Sequence, residues 1–399
     1  MSNAFQNKVE KARNCMRTNK WHAACDLWDQ IRYENPLHRG AYIEGINALI
    51  RAYRHDEIDA LALQAREMVG DYFQVQFFLA GLACRRGQWT TSVKEFEALI
   101  GKFPSRKSEV MNSTTYRQAV LNSVGIIAGN RKLAPLSHAE FMKYDGNNTS
   151  PSSYELEYVF VSGMPRAGTT ALGHLLNMSP DIALFTEIHI PYLNYKPSSF
   201  SQEILEKRAV RLPAGAPPKI VKKLSQAKLI GDKRPLFHYM LPQTLQAMRE
   251  HRVTVFQILR SVLNVAVSYQ NRANSPEDQW DPLRNLNNAI DEFNVMHRFI
   301  LEWESQGEMQ PHHKIFYIDY SKVFTEMNCA TGLFDCLGQT VDENLKHRIA
   351  QYIQHSNSIM AKERRVEPEV LAQIRDRIDM NAACEVVKLT GIDVIDGLS

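Results

Sequence analysis

The stretch Gly163-Met-Pro-Arg-Ala-Gly168-Thr169-Thr170 carries the residue types of a phosphate-binding turn. Glycines at 163 and 168 let a backbone turn sharply and approach a ligand with no Cβ in the way. A helical pattern follows at once, and the free N–H groups and positive dipole end of a helix N-terminus suit a phosphate. Thr169 and Thr170 add hydroxyl donors, Arg166 adds a charge inside the loop, and Pro165 stiffens it. The glycine spacing is that of the nucleotide loop G-x-x-x-x-G-K-[ST], yet Thr169 stands at the lysine position. In that loop the lysine reaches the β- and γ-phosphates and the Ser/Thr binds magnesium. Its replacement argues against nucleoside triphosphate chemistry. A glycine-rich turn from strand to helix can also be purely structural, so the loop alone does not decide.

A second segment, Val255 to Ala273, reads VFQILRSVLNVAVSYQNRA. A strand pattern ends at Arg260, and a helix pattern carries Ser268 eight residues later. That spacing is a little over two helical turns, so the two residues can share one side. A guanidinium and a hydroxyl on one side make a second anion site. Two such sites in one pocket call for a ligand phosphorylated at two places.

The two motifs, in this order, resemble those of the sulfotransferases that use 3′-phosphoadenosine-5′-phosphosulfate (PAPS). The resemblance covers about residues 155–325. It gives the loop (Gly163, Pro165, Arg166, Ala167, Gly168, Thr169, Thr170) the role of 5′-phosphosulfate motif. Arg260 and Ser268 take that of the 3′-phosphate motif. Ala167 departs from the family's usual serine. The loss of one hydroxyl is tolerable because backbone N–H groups do most of the cradling. The resemblance implies PAPS as cofactor, its bisphosphate PAP as product, no metal, and transfer of a sulfuryl group to a hydroxyl of a sugar, a peptide tyrosine or a metabolite. It also implies a three-layer, P-loop-like α/β fold.

Sulfuryl transfer needs a base for the acceptor's proton and positive charge at the sulfuryl and the departing phosphate. Glu187, in DIALFTEIHIPYL, stands where the resemblance to the tyrosylprotein and bacterial carbohydrate branch implies a glutamate base. His189 is the competing base, and a pairing of Glu187 with Arg166 that only organises the loop is the structural alternative. Lys233, in LIGDKRPLF, matches a family lysine beside the bridging oxygen, with Arg166 as a further catalytic charge. The alternative is a surface lysine at a strand end, with Asp232 and Arg234 as exposed neighbours. Tyr320, in KIFYIDYSKVF, resembles the tyrosine of a Tyr-Glu-Asp-Leu-like segment, although Ser321-Lys322 replace the Glu-Asp pair. It is either a nucleotide-pocket residue or a core or strand-edge tyrosine. Lys362, Arg364 and Arg365 read as a solvated helix face. The segment 196–228, basic and with a Pro-Ala-Gly-Ala-Pro-Pro turn, reads as a mobile flap over the acceptor site.

These residues need a scaffold. EYVFVS, DIALF, KLIGD, TVFQIL and KIFYID are short apolar runs alternating with helical stretches, the pattern of a parallel sheet with crossover helices. Such sheets bind ligands at the carboxyl ends of their strands, where the motifs lie. Residues 1–125 instead read as all-helical, 126–154 as a linker with a turn-rich end, and 155–399 as the α/β domain. Trp21 and Trp89 lie 68 positions apart, as do Pro36 and Pro104. That is twice the period of about 34 residues of tetratricopeptide repeats. Helix pairs are expected at roughly 2–35, 40–70 and 73–104, open to a peptide or protein partner.

With 399 residues, two domains are the expectation. A net charge of +3 gives no whole-protein case for nucleic acid. No apolar run approaches a membrane span. Six scattered cysteines without a C-x-x-C pair read as reduced thiols of a cytoplasmic protein. Two rivals remain: a P-loop kinase, and a repeat scaffold whose nucleotide-binding domain is catalytically inactive.

Overall fold

A computed structural model describes residues 3–127, 157–187, 195–201, 203–205, 223, 227–306, 312–360 and 366–398. Two compact units emerge. One comprises residues 132–267 and 290–399, the other residues 1–131 and 268–289.

The first unit is built on five parallel strands: β1 (Glu157–Gly163), β2 (Ile182–Thr186), β3 (Leu229–Lys233), β4 (Val253–Leu259) and β5 (His313–Asp319). All five coincide with the apolar runs of the sequence. The order is β2-β3-β1-β4-β5, and every pairing is parallel. The chain reverses its direction of growth at β1, the position where such sheets open a crevice.

Alternation along each strand sorts side chains to two faces. Val161, Lys233, Thr186 and Phe256 are in register and share one face. The helix Thr169–Leu176 covers it: a Cβ at Gly173 would lie 3.4 Å from Leu184 and 3.5 Å from Lys233. The opposite face carries Phe160, Asp232 and Gln257. There Gln257 donates to the Met296 sulfur (3.2 Å) on the helix Leu286–Gln306, and Phe160 packs on Tyr195 and Phe237. With helices on both faces, β1 and β3 are buried along almost their whole length. That is why β1 reads as a continuous apolar run rather than as an alternating one, whereas β3 ends in two buried charged residues, Asp232 and Lys233.

The other unit is all-helical. Its helices pair in sequence: α1 (Asn3–Arg17) with α2 (Trp21–Glu34), α3 (Arg39–Arg51) with α4 (Ile58–Val69), and α5 (Phe73–Arg85) with α6 (Trp89–Lys102). Then come α7 (Lys107–Met111) and α8 (Thr114–Ile127). Trp28, Trp89 and Phe96 are buried at its centre. Edge contacts join Phe96 to Phe77 and Tyr116. This unit also holds the distant segment 268–289. The Arg51 guanidinium donates to the carbonyls of Asp278, Gln279 and Trp280. Arg85 forks onto the Asp281 carboxylate (2.6 and 3.1 Å), the Tyr53 hydroxyl donates to the Ala273 carbonyl, and Leu283 packs on the helical core.

Behind the sheet, His238 and His297 are buried. None of their four ring nitrogens has a hydrogen-bond partner among the described residues. Burial pushes both pKa values down to about 3, and His297 adds to the effect at His238. Both rings stay neutral over a range where an unfolded histidine, near 6.5, takes up a proton. The unfolded chain therefore binds more protons there. Stability falls as pH drops from about 6.5 toward about 3, by up to about 1.4 kcal/mol per pH unit for each ring. His297→Phe should remove about 2 kcal/mol of the stability lost between about pH 7 and pH 5. Urea unfolding at the two pH values checks this, and identical losses in parent and variant would refute it.

Candidate active site

Every strand of the sheet delivers one site element at its carboxyl end. β1 runs into the glycine loop, Glu187 follows β2, Lys233 ends β3, Arg260 follows β4, and Tyr320 follows β5.

The loop takes its shape from three left-handed residues, Gly163 (φ +150°), Arg166 (φ +69°) and Gly168 (φ +97°). At the two glycines the sterics are severe. A Cβ at Gly163 would stand 2.6 Å from the Ile258 side chain and 2.8 Å from its carbonyl. A Cβ at Gly168 would stand 2.5 Å from the Tyr320 ring. The Gly163 carbonyl accepts from the Leu236 N–H (2.8 Å), which ties the loop to the segment after β3. Pro165, Ala167 and Thr169 are buried, whereas Arg166 and Thr170 face solvent. Gly168 caps the helix Thr169–Leu176 without a side-chain bond. The first N–H groups of that helix and the Thr170 hydroxyl are thus placed to receive an anion.

Arg260 donates to the Arg166 carbonyl (2.9 Å), and its guanidinium lies 4.1 Å from the Tyr320 ring centroid. Tyr320 is neither a core nor an edge tyrosine. It opens the short helix Tyr320–Val323, wedged between Gly168 and Arg260. Ser268 lies two turns further on, buried in the helix Val262–Ala273.

Lys233 and Glu187 form an ion pair at 2.6 Å. The lysine side chain is 3% exposed and the glutamate 34%. The pair is reinforced through the backbone, since the Glu187 N–H donates to the Lys233 carbonyl (3.0 Å). To do so Glu187 adopts φ +53°, a conformation costly for a residue with a Cβ. Glu187 therefore meets Lys233 through both its side chain and its backbone. The lysine stem runs along Gly173 of the helix after the loop, so the pair and the loop border one another. His189 and the trio Lys362, Arg364 and Arg365 lie outside the described residues, as does most of 196–228.

Lys233 is not a surface lysine, and its neighbours are not exposed. Asp232 is fully buried and Arg234 is 6% exposed. Asp232, on the opposite face, accepts from the Tyr195 hydroxyl. Neither Tyr195 nor the role of Gly173 follows from the motifs. The one available signal was a glycine inside a short helix, a residue that weakens helices unless close packing requires it.

Gly168→Ala should cost about 1–3 kcal/mol of stability, from the left-handed φ and the Tyr320 clash together. Tyr320→Ala in the same chain should restore only the share owed to the clash. Thermal unfolding of the single and double variants separates the two contributions.

The family described as sulfotransferase domain matches residues 156–373, more than half of the chain. Comparison with curated proteins finds no match. Among solved structures, mouse sulfotransferase SULT7A1 complexed with PAP is similar over 53% of this chain and 69% of its own, at 16% identity and a TM-score of 0.34. Sulfotransferase STF9 from Mycobacterium avium is similar over 71% and 88%, at 11% identity and a TM-score of 0.35. The sulfotransferase domain from the curacin biosynthetic pathway is similar over 48% and 76%, at 16% identity and a TM-score of 0.31. The assignment rests on the domain match, which spans the glycine loop, all five strands and every site residue named above: the chain belongs to the sulfotransferase domain family.

Proposed function

We propose that this chain is a PAPS-dependent sulfotransferase that uses Glu187 as its base on an acceptor hydroxyl. The observation that carries the reading is the Lys233–Glu187 ion pair beside the glycine loop. It puts a carboxylate able to accept a proton next to an ammonium able to stabilise a leaving group.

The donor set fits the nucleotide. Two guanidinium groups (Arg166, Arg260), the Thr169 and Thr170 hydroxyls and a helix N-terminus lie in or against the loop, and Lys233 ends the strand paired with β1. PAPS supplies the sulfuryl group, and its bisphosphate is the leaving group. The loop N–H groups, Arg166 and the two threonines hold the 5′ end. Arg260 takes the 3′-phosphate, with Ser268 joining it by the sequence pattern, and Tyr320 packs behind Arg260 and belongs to the same pocket. Lys233 stabilises negative charge as it develops on the bridging oxygen. An ammonium attracted to that oxygen loosens its hold on Glu187, whose carboxylate then takes the acceptor's proton. Direct attack on sulfur by the acceptor completes the displacement. No step asks for a metal. A sugar, a peptide tyrosine and a small metabolite all present a suitable hydroxyl.

The three helix pairs and the 68-residue spacing of Trp21 and Trp89 support a tetratricopeptide-like repeat, placed ahead of the catalytic domain and suited to hold a peptide or protein partner. The six cysteines are free thiols, and no helix among the described residues is long and apolar enough to cross a membrane. Both fit a cytoplasmic protein.

Thermal unfolding with PAP, ADP, or ATP plus magnesium tests the pocket. A ligand at about 100 times its dissociation constant adds about 2.7 kcal/mol. PAP alone should give that shift. A shift with only ATP and magnesium would mean a kinase, and none with any nucleotide would favour an inactive scaffold. Glu187→Gln should abolish turnover yet keep PAP binding, because the amide cannot take the proton. Retained turnover would remove Glu187 as base.

A further inference from the structure

The helix Val262–Ala273 carries Ser268, and its residues from 268 on belong to the helical unit. Residues 274–285 follow, with no helix or strand of their own, before the helix Leu286–Gln306 begins. Long connections without regular structure are uncommon and usually functional. Two sets of contacts shape this one. The first folds it back on its own helix. Arg272 forks onto the Asp278 carboxylate. The Trp280 ring meets Tyr269 edge-on at 4.8 Å, and its indole N–H donates to the Arg284 carbonyl (2.7 Å). Tyr269 is fully buried and directly follows Ser268. The place of Trp280 and that of the Ser268 turn are therefore set together.

The second set comes from helices α3 and α5. Arg51, the last residue of α3, donates to three successive carbonyls, those of Asp278, Gln279 and Trp280. Only a guanidinium has donors enough in a fixed fork for that; an ammonium is a single point. Arg85, the last residue of α5, holds the next side chain, the Asp281 carboxylate. Tyr53 donates its hydroxyl to the carbonyl of Ala273, where the Ser268 helix ends (2.9 Å). Tyr53 also has φ +57° and stands just past the cap of α3. That position ordinarily falls to glycine, and a bulky residue there is strained. Glycine would relieve the strain but could not reach Ala273. Strain of this kind points from geometry to a role.

We infer that Arg51, Tyr53 and Arg85 are positioning residues: they clamp the end of the Ser268 helix and the stretch after it, and so fix Ser268 for the 3′-phosphate of the nucleotide. This rests on the sulfotransferase reading above, which gives Ser268 that phosphate. It gives the helical unit a task within its own chain, separate from any peptide or protein partner.

PAP and AMP differ only by the 3′-phosphate, so the ratio of their affinities reports on that group. Calorimetry on the full-length chain compares the parent with Ser268→Ala, Arg51→Met, Tyr53→Phe and each of the last two combined with Ser268→Ala. Ser268→Ala should weaken PAP about tenfold to a hundredfold, the scale of one hydrogen bond to a charged group, and leave AMP unchanged. Arg51→Met and Tyr53→Phe should each weaken PAP about threefold to tenfold, the range of coupling through packed neighbours, again with AMP unchanged. Neither should add a further loss once Ser268 is alanine. An unchanged ratio overturns the positioning role. Equal losses for PAP and AMP show structural residues only and overturn it too, as does a full further loss in the double variants. If Arg51→Met does not fold, Tyr53→Phe, which removes a single hydroxyl, decides alone. A parent that binds PAP no better than AMP, or a preference that survives Ser268→Ala, removes the reading beneath, and the inference falls with it. A preference that depends on Ser268 but not on Arg51 or Tyr53 leaves that reading standing and overturns only the inference.

Discussion

An ammonium with almost none of its side chain in water needs a counter-charge, and in this protein that need organises the site. Lys233 ends a strand flanked on both sides and covered on both faces. Among the described residues its charge is met by the Glu187 carboxylate, and Glu187 has a left-handed backbone. Breaking such a pair leaves an uncompensated buried charge, costing about 3–5 kcal/mol. The pairing therefore holds the residue that follows β2 against the end of β3.

The loop obeys a second constraint, a steric one. Gly163 and Gly168 are pressed against Ile258 and Tyr320, so the strand that follows the loop's own by pairing, β4, and the helix after β5 mould its two ends. Backbone strain collects at the same place. Of the five non-glycine residues with positive φ among the described residues, Arg166, Glu187 and Leu236 belong to the loop or to the segments after β2 and β3 beside it. Strain of this kind persists only where the surroundings over-determine it. Here the surroundings are a parallel sheet whose strand ends converge, with Tyr352 adding a hydrogen bond from its hydroxyl to the Ala171 carbonyl of the loop helix (3.2 Å).

Arginine serves two purposes in the chain. Arg51 and Arg85 lie in the helical unit and use their fixed forks to satisfy loop carbonyls and a carboxylate, which orders a segment with little regular structure of its own. Arg260 instead donates to the Arg166 carbonyl and lies against the Tyr320 ring, which ties the segment after β4 to the glycine loop.

The amino-acid sequence by itself determined what depends on near neighbours. The five strands were legible as short apolar runs between helical stretches, and the three helix pairs because a packed helix repeats its apolar face every three to four residues. The loop stood out by its two glycines, which lie where no Cβ fits, and Glu187, Lys233 and Arg260 were singled out by the family resemblance together with their places at or just after a strand end. Tertiary structure alone decided the rest. Asp232 and Arg234 read as exposed, since charged residues usually are; only the order β2-β3-β1-β4-β5 places β3 inside the sheet and buries them. The sequence offered only Arg166 as a partner for Glu187; its pairing with Lys233 emerges when β2 and β3 come into register, which joins residues 46 apart. Tyr320 gained its place from the meeting of β4, β5 and the loop, and the capture of residues 268–289 by the helical unit joins positions more than 190 apart. Burial and pairing of this sort depend on which strands and helices become neighbours, and no local pattern of residues encodes that.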